Sequence, residues 1–191
     1  MIVTKEDLRY YLSEDWKRYN LSKTQYVIGR FTYGGGVKSL QLLRCLRKCE
    51  YAYNNRNKSI FNKVYYLFRL YLYRRLQFKL DTYIYLNSVG PGLYIPHLGG
   101  IIINCKSMGY NCSVNKNVVI GNKKSQHNRA TIGNNCWFTL GSKVIGEITI
   151  GDNVIVAPNS VVVKNVERNT IVSGVPAKIV RKFNDINDVS I

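Results

Sequence analysis

Acidic residues are scarce. Only 11 Asp and Glu stand against 28 Lys and Arg, a formal charge of +17 on 191 residues. Such a surface attracts nucleic acid, anionic lipid or phosphorylated ligands, and the charge alone does not choose among them. Long apolar runs are absent too: nothing approaches the roughly 18 residues that a membrane-spanning helix requires. The opening MIVTKEDLRYYLSEDWKRYN carries acids where a secretion leader has its apolar core, so no signal peptide is expected and the expected location is the cytoplasm. Cysteine is odd in number: Cys45, Cys49, Cys105, Cys112 and Cys136, with no C-x-x-C. That argues against a disulfide framework or a zinc cluster and for reduced, buried thiols, so no metal is expected. Histidine occurs twice, as His97 and His127. No Walker loop, H-E-x-x-H or dinucleotide fingerprint is present. Disorder is excluded from the other side, by 46% hydrophobic and 12% aromatic residues.

Two textures meet near residue 80. Residues 1–80 hold 17 Lys and Arg against five Asp and Glu, and read as helical. In 37–53, Leu40, Leu43, Leu46 and Cys49 or Glu50 recur at helical spacing. Gly34, Gly35 and Gly36 read as a turn or linker before that helix. A second helix is expected from Ser59 to about Phe78, with Asn57 or Ser59 as its cap. It is apolar on more than one side and interrupted by Arg69, Arg74 and Arg75. It should pack on the rest of the protein or on a neighbouring subunit; the alternative is an amphipathic helix on a membrane surface.

After residue 80 a period of six takes over. Ile132, Phe138, Val144, Ile150, Val156 and Val162 are all apolar, and four places after each stand Cys136, Ser142, Ile148, Val154, Ser160 and Val166. Upstream, Val89 and Ile95 begin the count, Ile101 or Ile102 continues it after a slip, and Met108, Val114 and Ile120 follow. The frame breaks over 121–131, which reads as a loop expelled from a regular stack. Six is neither the helical nor the strand period. Repeats this short bury an apolar face only by stacking, as in a parallel β-helix with three hexads per triangular coil. Asn111, Asn115, Asn117, Asn134, Asn135, Gly151, Asp152, Asn153 and Asn159 then belong to the corners. The expected organisation is a helical region over 1–80, a mainly β domain of four or five coils over 81–172, and a tail over 173–191. The helices and the tail would cap the open ends.

Three segments carry a family resemblance: VGPGLYIPHLGGIIIN (89–104), the hexad array of 132–166, and SGVPAKIVRK (173–182). Together they resemble the left-handed β-helix, hexapeptide-repeat acyltransferases, and within these the serine acetyltransferase branch and its relatives that O-acetylate polysaccharides. The left hand is implied by the resemblance alone, since crossovers are ordinarily right-handed. The resemblance implies acetyl-CoA as co-substrate and a homotrimer with sites between subunits.

It places His97, within Tyr94-Ile95-Pro96-His97-Leu98-Gly99-Gly100, at the family's catalytic histidine. An imidazole can take a hydroxyl proton near neutral pH. His127 and Arg129 fall in the expelled loop, where the family carries an Arg-His pair against the substrate. The loop is shorter here, Arg129 stands nearer the family histidine's place, and an ordinary exposed loop residue is the alternative for His127. The serine-specific enzymes have aspartates directly before the catalytic histidine and fifteen residues before it. Here those places hold Pro96 and Thr82, with Asp81 next to the latter; Asp81 and Thr82 are the substrate-binding candidates the resemblance implies, Asp81 serving if the coil shifts by one. A neutral acceptor, a sugar hydroxyl, is therefore expected in place of free L-serine. Gly121, Leu140, Gly141, Ala157 and Pro158 are candidates to line the pantetheine arm. Lys123 or Lys124 and Lys178, Arg181 and Lys182 are candidates for the coenzyme A phosphates. For each glycine and proline, plain turn chemistry is the alternative.

The leading expectation is an acetyl-CoA-dependent O-acetyltransferase acting on a sugar or a surface polysaccharide precursor, with docking at the inner face of an anionic membrane an option for its basic helices. Serine O-acetyltransferase is the alternative. A non-catalytic β-helix module binding an anionic polymer is a second, and no specific nucleic-acid partner is expected.

Overall fold

A computed structural model describes residues 1–184 apart from Tyr33, Lys124 and Gln126. Four helices come first: α1 (Lys5–Lys17), α2 (Lys23–Thr32), α3 (Gly35–Asn55) and α4 (Ile60–Leu80). The start of α1 is fixed by a capping box, in which Thr4 Oγ1 accepts from Asp7 N while Asp7 Oδ2 accepts from Thr4 N. Ser59 caps α4, as expected. The glycine run is not a linker. Gly34 is the N-cap of α3, and Gly35 and Gly36 form its first turn. The stripe Leu40, Leu43, Leu46, Cys49 and Glu50 is fully buried. No helix among the described residues is long and apolar enough to cross a membrane.

The strands are short and stack in three faces. Face A holds β1 (Thr82–Ile84), β2 (Ile101–Ile103), β5 (Val119–Gly121), β8 (Lys143–Ile145) and β11 (Val161–Val162). Face B holds β3 (Ser107–Met108), β6 (Thr131–Ile132) and β9 (Thr149–Ile150). Face C holds β4 (Ser113–Val114), β7 (Trp137–Phe138), β10 (Ile155–Val156), β12 (Thr170–Gly174) and β13 (Ala177–Lys182). Every pairing is parallel except β12 with β13, which turns back at the bottom of the stack. The chain visits A, B and C in turn five times, a parallel β-helix of five coils.

The hexad residues point into the prism: Val89, Ile95, Met108, Val114, Ile120, Ile132, Phe138, Val144, Ile150, Val156 and Val162 are all buried. The upstream slip resolves against Ile102. Ile101 and Ile103 point inward, Ile103 aligned with Ile84 and Ile120, whereas Ile102 points outward and is 40% exposed. Alternation along a strand allows no other outcome once its neighbours face the core.

The corners between faces B and C adopt the left-handed backbone conformation coil after coil, at Gly92, Asn111, Asn135, Asn153 and Asn169. Asparagine tolerates it, and its amide can bond the next corner: Asn135 Nδ2 donates to Asn153 Oδ1 at 3.1 Å and Asn153 Nδ2 to Asn169 Oδ1 at 2.7 Å. Asn115 and Asn134, also read as corner residues, do not take that conformation.

The helices close the top of the prism with buried side chains. Arg47, fully buried, bonds Asp15 at 2.9 Å and Glu50 at 3.2 Å, and donates to the carbonyls of Val89 and Gly90. Asp15 Oδ1 accepts from Gly92 N and Leu93 N, and Glu50 accepts from Asn87 N. Tyr19 Oη accepts from Ile95 N, while Tyr73 Oη donates to Ile84 O. The first coil's open edge is thus satisfied by side chains of α1, α3 and α4 in place of a further strand.

Candidate active site

His97 lies on the edge where the chain passes from face C to face A, between the Tyr94–Ser113 bridge and β2. That corner is longer than its counterparts. From inward Ile95 to inward Ile103 is eight residues, whereas Val114 to Ile120, Phe138 to Val144 and Val156 to Val162 are six each. The two extra residues push Pro96-His97-Leu98 away from the prism. His97 is exposed, and its ring has no hydrogen-bond partner among the described residues. Gly99 and Gly100 carry the turn back with φ of +107° and +65°. A side chain at Gly100 would collide with Asn117 Oδ1.

Asp81 and Thr82 hold this corner from above, on the side of the helices. Asp81, the left-handed C-cap of α4, accepts from Gly100 N through Oδ2 at 2.7 Å. Thr82 Oγ1 accepts from Gly99 N at 3.3 Å and donates to Leu80 O at 3.0 Å. Neither bonds the imidazole; both brace the backbone behind it.

Below His97 the same edge continues coil by coil through Asn115–Val118, Thr139–Ser142 and Ala157–Ser160. Backbone bonds join them: Asn117 N donates to Gly99 O, Gly141 N to Lys116 O and Asn159 N to Leu140 O, at 2.9–3.0 Å. Leu140, Gly141, Ala157 and Pro158 therefore stand in one line with His97. Lys178, paired with Ser173, closes that line at the bottom, and Gly174 N donates to Ser160 Oγ beside it. Lys116 belongs to the same line although the sequence reading passed it over. It occupies the corner place of Leu140 and Pro158, and its stem lies against Gly99. Hexad counting from Val114 to Ile120 is the signal that would have found it.

The other candidates lie elsewhere. Gly121 ends β5 on the edge between faces A and B, and the expelled loop leaves from the same edge with Lys123, His127 and Arg129. His127 is exposed. Arg129 is half-buried beside Tyr53, Asn87, Cys105 and Lys106, around a cavity of about 470 Å³. Within one chain the loop and His97 do not meet. Arg181 pairs with Ile171 at the far end of β13, away from His97's edge, and Lys182 is engaged by Glu167 at 2.7 Å. Lys124 lies outside the described residues. All five cysteines are unpaired; burial pushes the Cys49 and Cys105 thiols up to about 12, which makes them poor nucleophiles.

Fold and corner define the class: a hexapeptide-repeat β-helix with a helical cap and a histidine on an enlarged corner. Comparison with known proteins narrows it. No protein family model matches the chain. A serine acetyltransferase of Synechococcus elongatus is 33% identical over 95 residues, 48% of this chain and 39% of that protein. One from Buchnera aphidicola is 29% identical over 158 residues, 78% of this chain and 53% of that protein. The galactoside O-acetyltransferase of Escherichia coli is 42% identical over 57 residues, 29% of this chain and 27% of that protein. The chain thus spans about half, or less, of the serine acetyltransferases it matches. Among solved structures, the serine acetyltransferase of Brucella abortus superposes with a TM-score of 0.74 at 22% identity, covering 94% of this chain and 71% of that one. The same enzyme in complex with coenzyme A gives 0.69 at 23% identity, covering 93% and 67%. The fold is the left-handed parallel β-helix, and the chain is a relative of the serine acetyltransferases.

Proposed function

We propose that the chain is an acetyl-CoA-dependent O-acetyltransferase with His97 as general base. The observation that carries this is the alignment of an exposed, unpartnered imidazole at the head of one prism edge with Lys116, Leu140, Gly141, Ala157, Pro158 and Lys178 in line below it. A pantetheine arm laid along that edge brings the thioester carbonyl to His97, and Lys116 and Lys178 offer cations to the phosphates. His97 Nδ1 or Nε2 takes the proton of the acceptor hydroxyl as its oxygen attacks the thioester carbonyl. The tetrahedral intermediate collapses with loss of the coenzyme A thiolate, which regains the proton, leaving an acetyl ester. Asp81 and Thr82 act as positioning residues through Gly100 and Gly99.

The relatives change the order of acceptors. The sequence reading placed a sugar hydroxyl first; the serine acetyltransferases among the relatives favour serine, which becomes the leading acceptor. The sugar remains as a second reading on two observations: Pro96 and Thr82 stand where the resemblance expects aspartates, and a galactoside O-acetyltransferase is among the relatives. A homotrimer would bring the loop of one subunit, with His127 and Arg129, to the His97 edge of the next. The outward apolar residues Tyr83, Tyr85, Ile102 and Val163 on face A favour packing of subunits side by side. Unpaired cysteines agree with a reducing, cytoplasmic setting.

The test is release of coenzyme A from acetyl-CoA, followed by chromatography, with L-serine and a panel of sugars as acceptors. We expect release with L-serine and a loss of about a hundred- to ten-thousandfold in His97→Ala. Release with a sugar alone would restore the sugar reading. Release that persists undiminished in His97→Ala would remove His97 from the chemistry.

A further inference from the structure

Helix α4 carries a long exposed apolar stripe that the proposed acetyl transfer does not use. The inner face of that helix is satisfied: Tyr73 and Gln77 are buried and bond Ile84 O, and Tyr66, Leu70, Leu76 and Leu80 pack on the core. At 100° per residue, Ile60, Phe61, Val64, Leu67, Phe68, Tyr71 and Phe78 fall on the opposite side. All seven are exposed, Phe61 at 82% and Phe78 at 81%. They form a stripe along a helix of 21 residues, roughly 32 Å long. A stripe of this size on a surface marks an interaction site.

The charge around it selects the occupant. Residues 60–80 contain Lys63, Arg69, Arg74, Arg75 and Lys79 and no acid. The acids of the helical region are few and mostly committed. Asp7 caps α1, Glu14 pairs with Lys17, and Asp15 and Glu50 are buried on Arg47, which leaves Glu6. A second copy placed on the stripe would set the exposed Lys63, Arg74 and Arg75 of one helix against those of the other, with no carboxylate in either helix to separate them. A nucleic acid would satisfy the cations and leave three phenylalanines in water. An anionic bilayer satisfies both: its headgroups meet Lys and Arg, and the boundary with its acyl chains takes the aromatic and aliphatic side chains.

We propose that the outer face of α4 is a docking surface for anionic lipid, with the helix lying in the plane of the membrane surface. The proposal is independent of the chemistry at His97, because vesicle binding is read without any turnover.

The experiment is flotation of the full chain with vesicles of phosphatidylcholine alone and of equal parts phosphatidylcholine and phosphatidylglycerol. Phe61→Ser, Phe68→Ser and Arg75→Glu serve as variants. Each substituted side chain faces solvent, and an unchanged thermal midpoint confirms that each variant is folded. Binding is expected to the anionic vesicles and not to the neutral ones. Each phenylalanine variant should weaken it about tenfold and Arg75→Glu at least about fivefold. Equal binding to both vesicles, or to neither, overturns the proposal. So does binding that salt and Arg75→Glu abolish but both phenylalanine variants leave unchanged, which is adsorption without insertion. Concentration-dependent self-association removed by Phe61→Ser, in place of lipid binding, would assign the stripe to a second copy.

Discussion

At the scale of single residues, Arg47 matters most to the structure. Burial opposes its charge, but Asp15 and Glu50 outweigh that opposition and raise its pKa, so the guanidinium stays ionised. Burial pushes Glu50 upward, and Arg47 and the Asn87 N–H restrain it. Two of the guanidinium's bonds go to carbonyls of the first coil and three to the carboxylates of Asp15 and Glu50, which in turn hold amides of that coil. Removing the cation strands two buried acids. Arg47→Ala should therefore cost about 3–5 kcal/mol in urea unfolding, well beyond the loss of one surface ion pair. Asp15→Ala and Arg47→Ala together should cost clearly less than the sum of the two, because each deletion already breaks the same network. Additivity would show that Asp15 and Arg47 act separately. Nothing in the sequence pointed to Arg47. It stands in the expected stripe among leucines, but a charged residue at a buried place is unreadable until its partners are known, and apart from Glu50 on the same helix these lie 32 residues upstream and more than 40 downstream.

At the scale of elements, the corner that carries His97 depends on the end of α4. The left-handed turn at Asp81 directs its carboxylate at Gly100 N, and so the helix cap and the candidate base are one assembly. Asp81→Ala should lower the rate constant kcat of the reaction by about ten- to a hundredfold through misplacement of His97, with little change in the KM for acetyl-CoA. Asp81→Asn keeps an acceptor for the Gly100 N–H and should recover most of the activity. The pH–rate profile of Asp81→Ala should keep its shape, since the carboxylate does not touch the imidazole. A displaced profile would mean that Asp81 acts on the ring itself. The hexads, the αL asparagines and the cap at Ser59 were legible because each is a local rule, repeated or self-contained. The two additional residues at 96–100 were only half legible. Counting revealed a slip, but the choice between Ile101 and Ile102 required the register of β2 against β5, a contact between residues 17 apart.

At the scale of the whole molecule, the placement of the candidates on different edges has a consequence for assembly. His97 and the line below it occupy the edge between faces C and A, and His127 and Arg129 leave from the edge between A and B. Sequence separation cannot report this, because residues 30 apart in a β-helix can share an edge or stand on opposite ones. If the proposed trimer sets each loop against the neighbour's His97, a site is built from two chains. His97→Ala and the double variant His127→Ala with Arg129→Ala would then each be inactive alone, while a mixed trimer would contain one intact site. Random reassembly of equal amounts after unfolding and refolding should restore about a quarter of the wild-type activity, since three-quarters of the trimers are mixed and each mixed trimer has one working site of three. Mixing without unfolding should restore none until subunits exchange. Failure to recover activity from refolded mixtures that size-exclusion chromatography confirms as trimers would place the loop outside the site. An active double variant would do the same without any mixing, and would leave the edge below His97 to bind both substrates on its own.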